Sequence, residues 1–378
     1  MSLLDSATAP FPSTVHADRL AAAAEAAAER GIDALLITPS PDYAYLLGYR
    51  APALERLTCL VLPAEGAPIL VMPRLEDPLA RHELGELADE IELVAWDETD
   101  DPIQVVRLLV GSAMRVAVQD QMWARFALRL RAAVEPAQVV EAGPTMSALR
   151  AVKSAEEIDR LRAAGAAADA AMRAITSERL SGRTEAEVSG RIREHLLTAG
   201  HDSAEFAIVA SGPNSASPHH TPGSRVIEPG DAIVLDIGGS LGGYASDTSR
   251  TAFVGEPAAE FAALFAVLRD AQAAACEAVR PGVPAAEIDA VARQRITDAG
   301  YGEQFIHRTG HGIGMETHEE PYLVASNPQP LVEGNAFSIE PGIYMADTWG
   351  ARIEDIVVCT ATGGERLNLT STELAIVE

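Results

Sequence analysis

The stretch at residues 307–321, HRTGHGIGMETHEEP, places three histidines among three glycines, and histidine is a common metal ligand and general base. His307 and His311 are four residues apart, which on a helix would put both on one face and suit zinc. The glycines argue against a helix, because each costs about 1 kcal/mol relative to alanine there. The glutamate that follows the first histidine in the helical zinc motif is also missing. We therefore expect an irregular or extended segment whose partners come from elsewhere in the chain.

Two aspartates lie in a segment that could supply such partners, AIVLDIGGSLGGYASDTSRTAFV, where two predicted strands flank a glycine-rich turn. Asp236 and Asp247 are symmetric about the midpoint between Leu241 and Gly242. A turn centred there predicts that the two aspartates face each other across a hairpin, with Cβ atoms about 5 Å apart. Like charges in that position destabilise a hairpin unless a cation lies between them.

A second segment, AFSIEPGIYMADTWGARIEDIVV, has the same design, since Glu340 and Glu354 are symmetric about Asp347. A single buried carboxylate is usually a hydrogen-bonded structural residue, but two facing pairs favour bound cations. Four carboxylates and one imidazole are too numerous and too hard for one tetrahedral structural zinc. They suit two divalent ions about 3.5–4 Å apart. Oxygen-rich ligation predicts Mn²⁺, with Co²⁺ or Zn²⁺ as alternatives.

Composition excludes several other classes of protein. The net charge of −26 disfavours nucleic acid and anionic membranes as partners, since both require a basic surface. Lys153 is the only lysine and follows no glycine-rich loop, which argues against Schiff-base and P-loop chemistry. The three cysteines are scattered without a C-x-x-C pair, as expected of free thiols in a reducing cytoplasm. No apolar run reaches 18 residues and the N-terminus lacks an apolar core, so we expect neither membrane insertion nor secretion.

The length of 378 residues predicts two domains, and the pattern of elements places the boundary near residue 145. Residues 1–145 alternate predicted helices and strands, typical of an α/β domain. Residues 146–378 begin with a predicted capping box, Ser154 with Glu157, at the start of an alanine-rich helix.

The second half contains a weak internal repeat. IEPGDAIVLDIG (227–238) aligns with LVEGNAFSIEPG (331–342), which matches Asp236 with Glu340. Two predicted helices precede each copy, at 155–175 and 185–199 in one case and at 258–279 and 285–299 in the other.

Five short motifs in this half, LDIGG, SDTSRTAFVG, HGIGMETHEEP, IEPGIY and RIED, resemble in type and order those of the pita-bread metallopeptidases. Within that family they are similar to the Xaa-Pro group of prolidase and aminopeptidase P. The resemblance implies a creatinase-like α/β N-terminal domain (1–145). It also implies an α+β pita-bread catalytic domain (146–378) with a pseudo-twofold internal repeat.

The resemblance also implies roles for individual residues. The five metal ligands would be Asp236, Asp247, His311, Glu340 and Glu354. The implied active-site histidines are His219, selected over His220 by its spacing to the Asp of PGD, together with His307 and His318. Tyr344 and Arg352 match positions that support the ligands. All five ligand positions are present, which argues against the metal-free and non-enzymatic relatives.

The implied activity is hydrolysis of the Xaa-Pro bond of dipeptides, with Glu340 as proton acceptor and His219 and His318 as donors to the developing oxyanion. An aminopeptidase P acting on longer peptides, and a relative acting on a small non-peptide metabolite, are the alternatives. Family members commonly form homodimers, which we also expect here. A dipeptidase must recognise the free carboxylate beyond proline. We expect Arg56 to bind it, although surface pairing of Arg56 with Glu55 or another acid is the competing interpretation.

Overall fold

The computed structural model describes residues 7–378 and divides into two compact units. The N-terminal unit comprises Pro10–Arg150, and the C-terminal unit comprises Ala151–Glu378 together with residues 7–9. The sequence predicted this boundary near residue 145. No helix within residues 7–378 is both long and apolar enough to cross a membrane.

The N-terminal unit is built on one mixed six-stranded sheet. Its strands are β1 (Ala34–Ile37), β2 (Cys59–Pro63), β3 (Ile69–Pro73), β4 (Glu92–Trp96), β5 (Arg115–Val118) and β6 (Gln138–Glu141). Their spatial order is β4-β3-β2-β1-β5-β6, in which β2 runs antiparallel to both of its neighbours and the other pairs are parallel. Its helices are α1 (Ser13–Glu29), α2 (Pro41–Leu47), α3 (Asp77–Leu84), α4 (Pro102–Val110), α5 (Ala124–Ala133) and α6 (Gly143–Arg150). The predicted α/β N-terminal half is confirmed.

The C-terminal unit contains two pairs of long helices, as the repeat predicted. They are α7 (Ala155–Thr176) with α8 (Glu185–Thr198), and α9 (Ala259–Ala278) with α10 (Ala285–Asp298). The capping box expected at Ser154 and Glu157 is present, and Thr184 with Glu187 forms a second one at the start of α8. In each box the side-chain oxygen accepts an amide hydrogen bond that the first helical turn would otherwise leave unmade.

Three sheets accompany these helices. The strands are β7 (Ser203–Ser211), β8 (Ala232–Leu241), β9 (Tyr244–Val254), β10 (Gly310–Gly312), β11 (Glu319–Leu323), β12 (Ala336–Ile339), β13 (Gly342–Met345), β14 (Trp349–Arg352), β15 (Asp355–Thr360), β16 (Gly363–Arg366) and β17 (Ala375–Val377). They form a four-stranded sheet in the order β17-β9-β8-β7, a five-stranded sheet in the order β11-β10-β12-β15-β16, and the pair β13-β14.

Each helix pair packs on the sheet of its own half. Residues from α7 and α8, such as Met172 and Ile192, share a core with Leu235 of β8. Residues from α9 and α10, such as Leu268 and Ile296, do not join this core but pack in a second one. The unit therefore has two apolar cores, one under each helix pair, and the second core also includes Ala232 and Phe253 of the first sheet.

The register of the first hairpin, β8 with β9, differs from the sequence prediction. Asp236 lies opposite Ser249 and Asp247 lies opposite Gly238, so the two aspartates are diagonal neighbours on one face rather than a facing pair. The prediction was wrong because the turn is formed by Gly242 and Gly243, whose φ angles are 56° and 85°. A two-residue turn with positive φ at both positions matches the twist of the strands, and only glycine adopts it without strain.

The register of the second hairpin is the predicted one. The ladder of β13 with β14 pairs Met345 with Trp349, and that of β12 with β15 pairs Ile339 with Asp355. Both ladders are centred on Asp347, so Glu340 and Glu354 occupy opposite positions at the break between them. The carboxylates of this hairpin therefore lie where the backbone leaves one ladder and enters the next.

Candidate metal centre

The two hairpins meet at Ser249 and Glu354. The Glu354 amide donates to the Ser249 carbonyl at 3.0 Å, and Ser249 Oγ donates to Glu354 Oε2 at 2.8 Å. Because Ser249 is also the cross-strand neighbour of Asp236, this contact brings the acids of both hairpins to one place. Asp236, Asp247 and Glu354 each offer an oxygen, and these oxygens lie within 4.8 Å of one another.

His311 approaches these carboxylates from the short strand β10. Its Nε2 lies 3.2 Å from Glu340 Oε1 and 3.7 Å from Asp247 Oδ2. Its Nδ1 lies 3.1 Å from the Gly312 carbonyl, and the tautomer that donates this bond leaves the Nε2 lone pair directed toward the acids. Gly310 is required beside it, since a Cβ there would lie 1.8 Å from the Ser338 carbonyl oxygen. The segment is extended and not helical, as the glycines predicted.

The buried carboxylates have coordination capacity that the protein leaves unused. Asp236 Oδ1, Asp247 Oδ1 and Glu354 Oε1 are buried and have no hydrogen-bond partner among residues 7–378. An unsatisfied buried carboxylate oxygen costs free energy unless something else coordinates it. Oxygen donors with one imidazole are the ligands that divalent cations such as Mn²⁺ accept. The residues present therefore fit a divalent metal centre, and we name Asp236, Asp247, His311, Glu340 and Glu354 the five-ligand cluster.

The electrostatics of the cluster also favour cations. Burial and the charge of Glu354 raise the pKa of Asp247 well above its ordinary value. Burial and the charges of Glu340 and Asp236 likewise raise the pKa of Glu354. Such shifts mean that the ionised acids repel one another in a poorly hydrated site. Divalent cations would remove that repulsion.

Arg352 compensates part of this charge from β14. Its Nη2 donates to Asp236 Oδ2 at 2.6 Å, its Nε donates to Ser249 Oγ at 2.9 Å, and its Nη1 donates to the Tyr344 hydroxyl at 3.0 Å. Burial raises the pKa of Tyr344 to about 12, so the hydroxyl stays protonated and can donate to His307 Nε2 at 2.9 Å. His307 Nδ1 in turn donates to the Arg308 carbonyl at 2.7 Å. This chain of hydrogen bonds fixes Asp236 in place.

A cavity of about 690 Å³ opens above the five-ligand cluster, a size that suits a small ligand. Its wall includes His219, His307 and His318 and the apolar side chains of Phe206 and Ile208. The cavity therefore combines metal-ligating, hydrogen-bonding and apolar groups, as a binding site for a small amphipathic molecule requires.

Two histidines on this wall are exposed, His219 and His318. The His318 ring lies 4.1 Å from the His311 ring in an edge-to-face arrangement. Partial burial of the His318 ring in the cavity, with the neighbouring His311 and Arg308, lowers its pKa to about 4, so the ring is neutral at neutral pH. His220, by contrast, pairs with the buried Glu185 at 2.8 Å.

Glu340 belongs to the five-ligand cluster and also lines the cavity. Burial opposes its ionisation, but in the absence of a cation a hydrogen bond from a protonated His311, with the charges of His311, His307 and Arg352, outweighs burial and lowers its pKa to about 2. Its Oε1 also accepts a hydrogen bond from Ser338 Oγ at 3.1 Å. Glu340 is therefore an ionised carboxylate at the wall where a substrate would lie.

Arg56 belongs to the N-terminal unit, where its Nε lies 2.8 Å from Glu98 and its Nη1 lies 2.7 Å from Glu55. This is the surface pairing that competed with the carboxylate-binding interpretation. The role of Arg56 in substrate binding stays a prediction.

Sequence reasoning missed several residues on the cavity wall. Phe206 and Ile208 of β7, Thr317 and Arg308 line it. Phe206 and Ile208 could not be recognised as cavity residues, because apolar residues alternate in the same way along any strand that packs on the core. Arg308 could have been found, since it is the one cationic side chain in the stretch 307–321 apart from the histidines.

The fold and the site define a metallopeptidase, and comparison with known proteins agrees. A model described as metallopeptidase family M24 matches residues 159–361, and one described as the creatinase/prolidase N-terminal domain matches residues 19–152. The chain is 47% identical over 370 residues to a protein from Mycobacterium tuberculosis named probable dipeptidase PepE, covering 97% of this chain and 98% of that protein.

Solved structures give the same result. Dipeptidase PepE from Mycobacterium ulcerans matches with a TM-score of 0.94 at 46% identity, covering 98% of this chain and 100% of that chain. A recombinant prolidase from Thermococcus sibiricus matches with a TM-score of 0.88 at 34% identity, covering 95% and 98%. The chain belongs to metallopeptidase family M24 and is a hydrolase that acts as a peptidase.

Proposed function

We propose that the chain is a dinuclear-metal exopeptidase that hydrolyses the Xaa-Pro bond of dipeptides. The observation that carries the proposal is the five-ligand cluster, which lines a cavity sized for a small peptide and has three carboxylate oxygens without a hydrogen-bond partner among the described residues. Two relatives support the dipeptide substrate, one named a dipeptidase and the other a prolidase. Mn²⁺ is the expected metal, with Co²⁺ or Zn²⁺ as alternatives.

Asp236, Asp247, His311, Glu340 and Glu354 would hold the ions. Bound divalent ions supply Lewis acidity to a carbonyl group and lower the pKa of water. Arg352 and Tyr344 hold the Asp236 side chain in one orientation, so that its free Oδ1 stays directed into the cluster. Preorganisation of this kind removes the reorganisation that a flexible carboxylate would require.

Glu340 is placed to accept the proton that the attacking water loses, because it is ionised and lies on the cavity wall. The neutral ring of His318 offers one N–H to the carbonyl oxygen as negative charge develops there. His219, on the same wall, offers a second donor or contacts the proline side of the substrate. His307 supports Tyr344 and borders the same space.

A proline-specific enzyme needs such a site, because the Xaa-Pro amide has no N–H and a restricted φ angle. Phe206 and Ile208 provide an apolar wall that suits a proline ring. We further propose that the enzyme is a cytoplasmic homodimer. Sedimentation at micromolar concentration tests the assembly, and a monomer would contradict it.

The decisive assay measures release of the N-terminal amino acid from Ala-Pro, Met-Pro and the tripeptide Ala-Pro-Ala, with proline as the second product of the dipeptides and Pro-Ala as that of the tripeptide. We expect no release after dialysis against a chelator. We also expect recovery that is greater with Mn²⁺ than with Mg²⁺, and faster release from the dipeptides than from the tripeptide. Faster tripeptide cleavage would instead assign the aminopeptidase P activity. Full activity in metal-free protein would refute the mechanism, and failure to cleave any of the three peptides would favour a non-peptide metabolite.

A further inference from the structure

Two arginines line the cavity above the five-ligand cluster, Arg308 and Arg352. Arg352 is buried, and its guanidinium donates to Asp236, to Ser249 and to the Tyr344 hydroxyl. Arg308 is half-buried, and within the described part of the chain its guanidinium has neither a hydrogen-bond acceptor nor an acidic partner. In a protein with net charge −26, an arginine that lines a cavity without an acid beside it is a group available for an anionic ligand.

The Arg308 side chain is supported from one side. Its guanidinium carbon lies 4.3 Å from the centre of the Tyr322 ring, an aromatic platform on β11. A guanidinium over the face of an aromatic ring is attracted to it by a cation–π interaction, which uses none of the hydrogen-bond acceptors that its N–H groups could engage. The platform therefore restricts the side chain without consuming its hydrogen-bonding capacity.

The backbone on both sides of Arg308 is also anchored. The carbonyl of His307 accepts from Arg293 at 2.7 Å, and the Arg308 carbonyl accepts from the His307 ring. The next residue, Thr309, donates from its amide and its hydroxyl to Asp289 at 3.0 and 2.8 Å. An arginine with an anchored backbone and a stacked side chain loses little further conformational entropy when a ligand binds.

We propose that Arg308, held on the Tyr322 ring, is the specificity-determining residue that binds the free α-carboxylate of a dipeptide substrate. The inference rests on the proposed function and moves carboxylate recognition from Arg56 to a residue of the cavity wall itself. A substrate carboxylate entering a site rich in acids is repelled unless a cation receives it. The guanidinium fork matches the two carboxylate oxygens.

The test compares Ala-Pro with its C-terminal amide, Ala-prolinamide, which has the same bond to cleave but no carboxylate. We expect wild-type enzyme to favour the acid through KM. Arg308→Met should raise KM for the acid about 10- to 100-fold, which corresponds to loss of a charge-assisted hydrogen bond, and should leave KM for the amide unchanged. Arg308→Lys, which keeps the charge but not the fork, should recover part of the loss.

Two matched controls accompany these variants. Arg179→Met removes an exposed arginine of the same unit and should leave KM unchanged for both substrates. Arg56→Met tests the earlier assignment directly. The proposal would be overturned if Arg56→Met raised KM selectively for Ala-Pro while Arg308→Met did not. An equal rise in KM for the acid and the amide in Arg308→Met would overturn it as well. Metal content and unfolding temperature of Arg308→Met should match wild type, which separates recognition from misfolding.

The Tyr322 platform has a test of its own. Tyr322→Phe keeps the ring and should retain the preference for acid over amide, whereas Tyr322→Leu removes the face on which Arg308 stacks and should lower that preference several-fold. If both variants lost the preference for acid over amide, the tyrosine hydroxyl and not the ring would be responsible, which would contradict the role of the ring as a platform. A preference unchanged in the leucine variant would show that Arg308 needs no support from the ring.

A binding measurement distinguishes failure of this proposal from failure of the proposed function. Calorimetry with Mn²⁺-loaded enzyme should show that proline, a product carrying the carboxylate, binds more tightly than prolinamide, and that Arg308→Met abolishes the difference. If the enzyme cleaves no Xaa-Pro peptide but cleaves Ala-Leu, the same acid and amide comparison is made with Ala-Leu and Ala-leucinamide. Absence of any acid preference in wild type, in cleavage and in binding, would overturn the role of Arg308.

Discussion

The first hairpin, β8 with β9, turns on Gly242 and Gly243, whereas the second, which runs from β12 and β13 to β14 and β15, turns around Asp347. The first turn is half-buried and closely packed, since a Cβ at Gly242 would lie 2.1 Å from the Ala7 carbonyl oxygen. The second turn is exposed, and Asp347, with φ of 58°, is the one non-glycine residue in the described chain with a positive φ.

The candidate ligands are also placed differently. In the first hairpin, Asp236 and Asp247 lie within one continuous ladder and share a face because they are diagonal neighbours. In the second, Glu340 and Glu354 lie opposite each other where the ladder is interrupted. Both solutions put two carboxylates on one surface. In a continuous ladder, the strand register fixes the positions of the two carboxylates. Where the ladder is interrupted, backbone groups can instead pair with the other hairpin, as those of Glu354 do with Ser249.

The largest expected effect comes from removing one ligand charge in each hairpin. Asp247→Asn and Glu354→Gln should both lower metal content and abolish measurable peptidase activity, because each removes an anionic donor from a shared site. In chelator, the same variants should unfold at or above the wild-type temperature, because each relieves repulsion between buried acids. Metal content is measured by plasma emission spectroscopy on dialysed protein.

Asp347→Asn is the matched control, since it removes a carboxylate from the exposed turn of the second hairpin and asparagine tolerates a positive φ. It should keep both metal and activity. Wild-type metal content in Asp247→Asn or in Glu354→Gln would show that the corresponding hairpin does not hold the ions.

A second effect concerns the contact that joins the hairpins. Arg250 of β9 pairs with Asp355 of β15 at 2.6 Å and donates to the Glu354 carbonyl at 2.6 Å, and both side chains are buried. Arg250→Met should lower the free energy of unfolding by about 3–5 kcal/mol, because it leaves a buried carboxylate with weaker compensation. Urea denaturation measures the change.

The exposed ion pair of Arg269 with Glu373 supplies the comparison for that variant. Arg269→Met should change the free energy of unfolding by less than about 1 kcal/mol. Equal losses in the two arginine variants would contradict a special role for the contact between the hairpins.

A third prediction concerns His318, which lies outside both hairpins. His318 is close enough to share a metal with Asp247 and His311, so it is either a ligand or a hydrogen-bond donor to substrate. We expect His318→Ala to keep its metal and to lower kcat on the order of 100-fold, as loss of one oxyanion donor does. Steady-state kinetics and metal analysis on the same sample check this. Loss of metal would make His318 a sixth ligand.

The smallest effect contrasts the two turns. Gly242→Ala should destabilise the protein by at least about 1–2 kcal/mol, since alanine is strained at positive φ and its Cβ would clash with the Ala7 carbonyl. Asp347→Gly should leave the free energy of unfolding within about 1 kcal/mol of wild type. Thermal unfolding compares them, and a larger loss at Asp347 would reverse the assignment of the rigid turn.

Much of the fold followed from local patterns. The sequence predicted both the capping box at Ser154 and the four long helices of the repeat. Capping and apolar periodicity are local signals, because they depend on residues only a few positions apart. The register of the second hairpin was predicted as well, because its two ladders share one centre at Asp347. The first register was missed, because either a turn centred one residue earlier or the Gly-Gly turn was compatible with the sequence.

The sequence by itself determined which acids and histidines could do chemistry, since residue type and alternation decide which side chains can be buried on one face of a strand. Only the tertiary structure decided how they combine. Ser249 joins the two hairpins, Tyr344 contacts His307, and Arg308 lies over Tyr322 with no acidic partner among residues 7–378. These contacts connect residues 14 to 105 positions apart, and spacing along a chain carries no information about such distances until the strands and helices have packed.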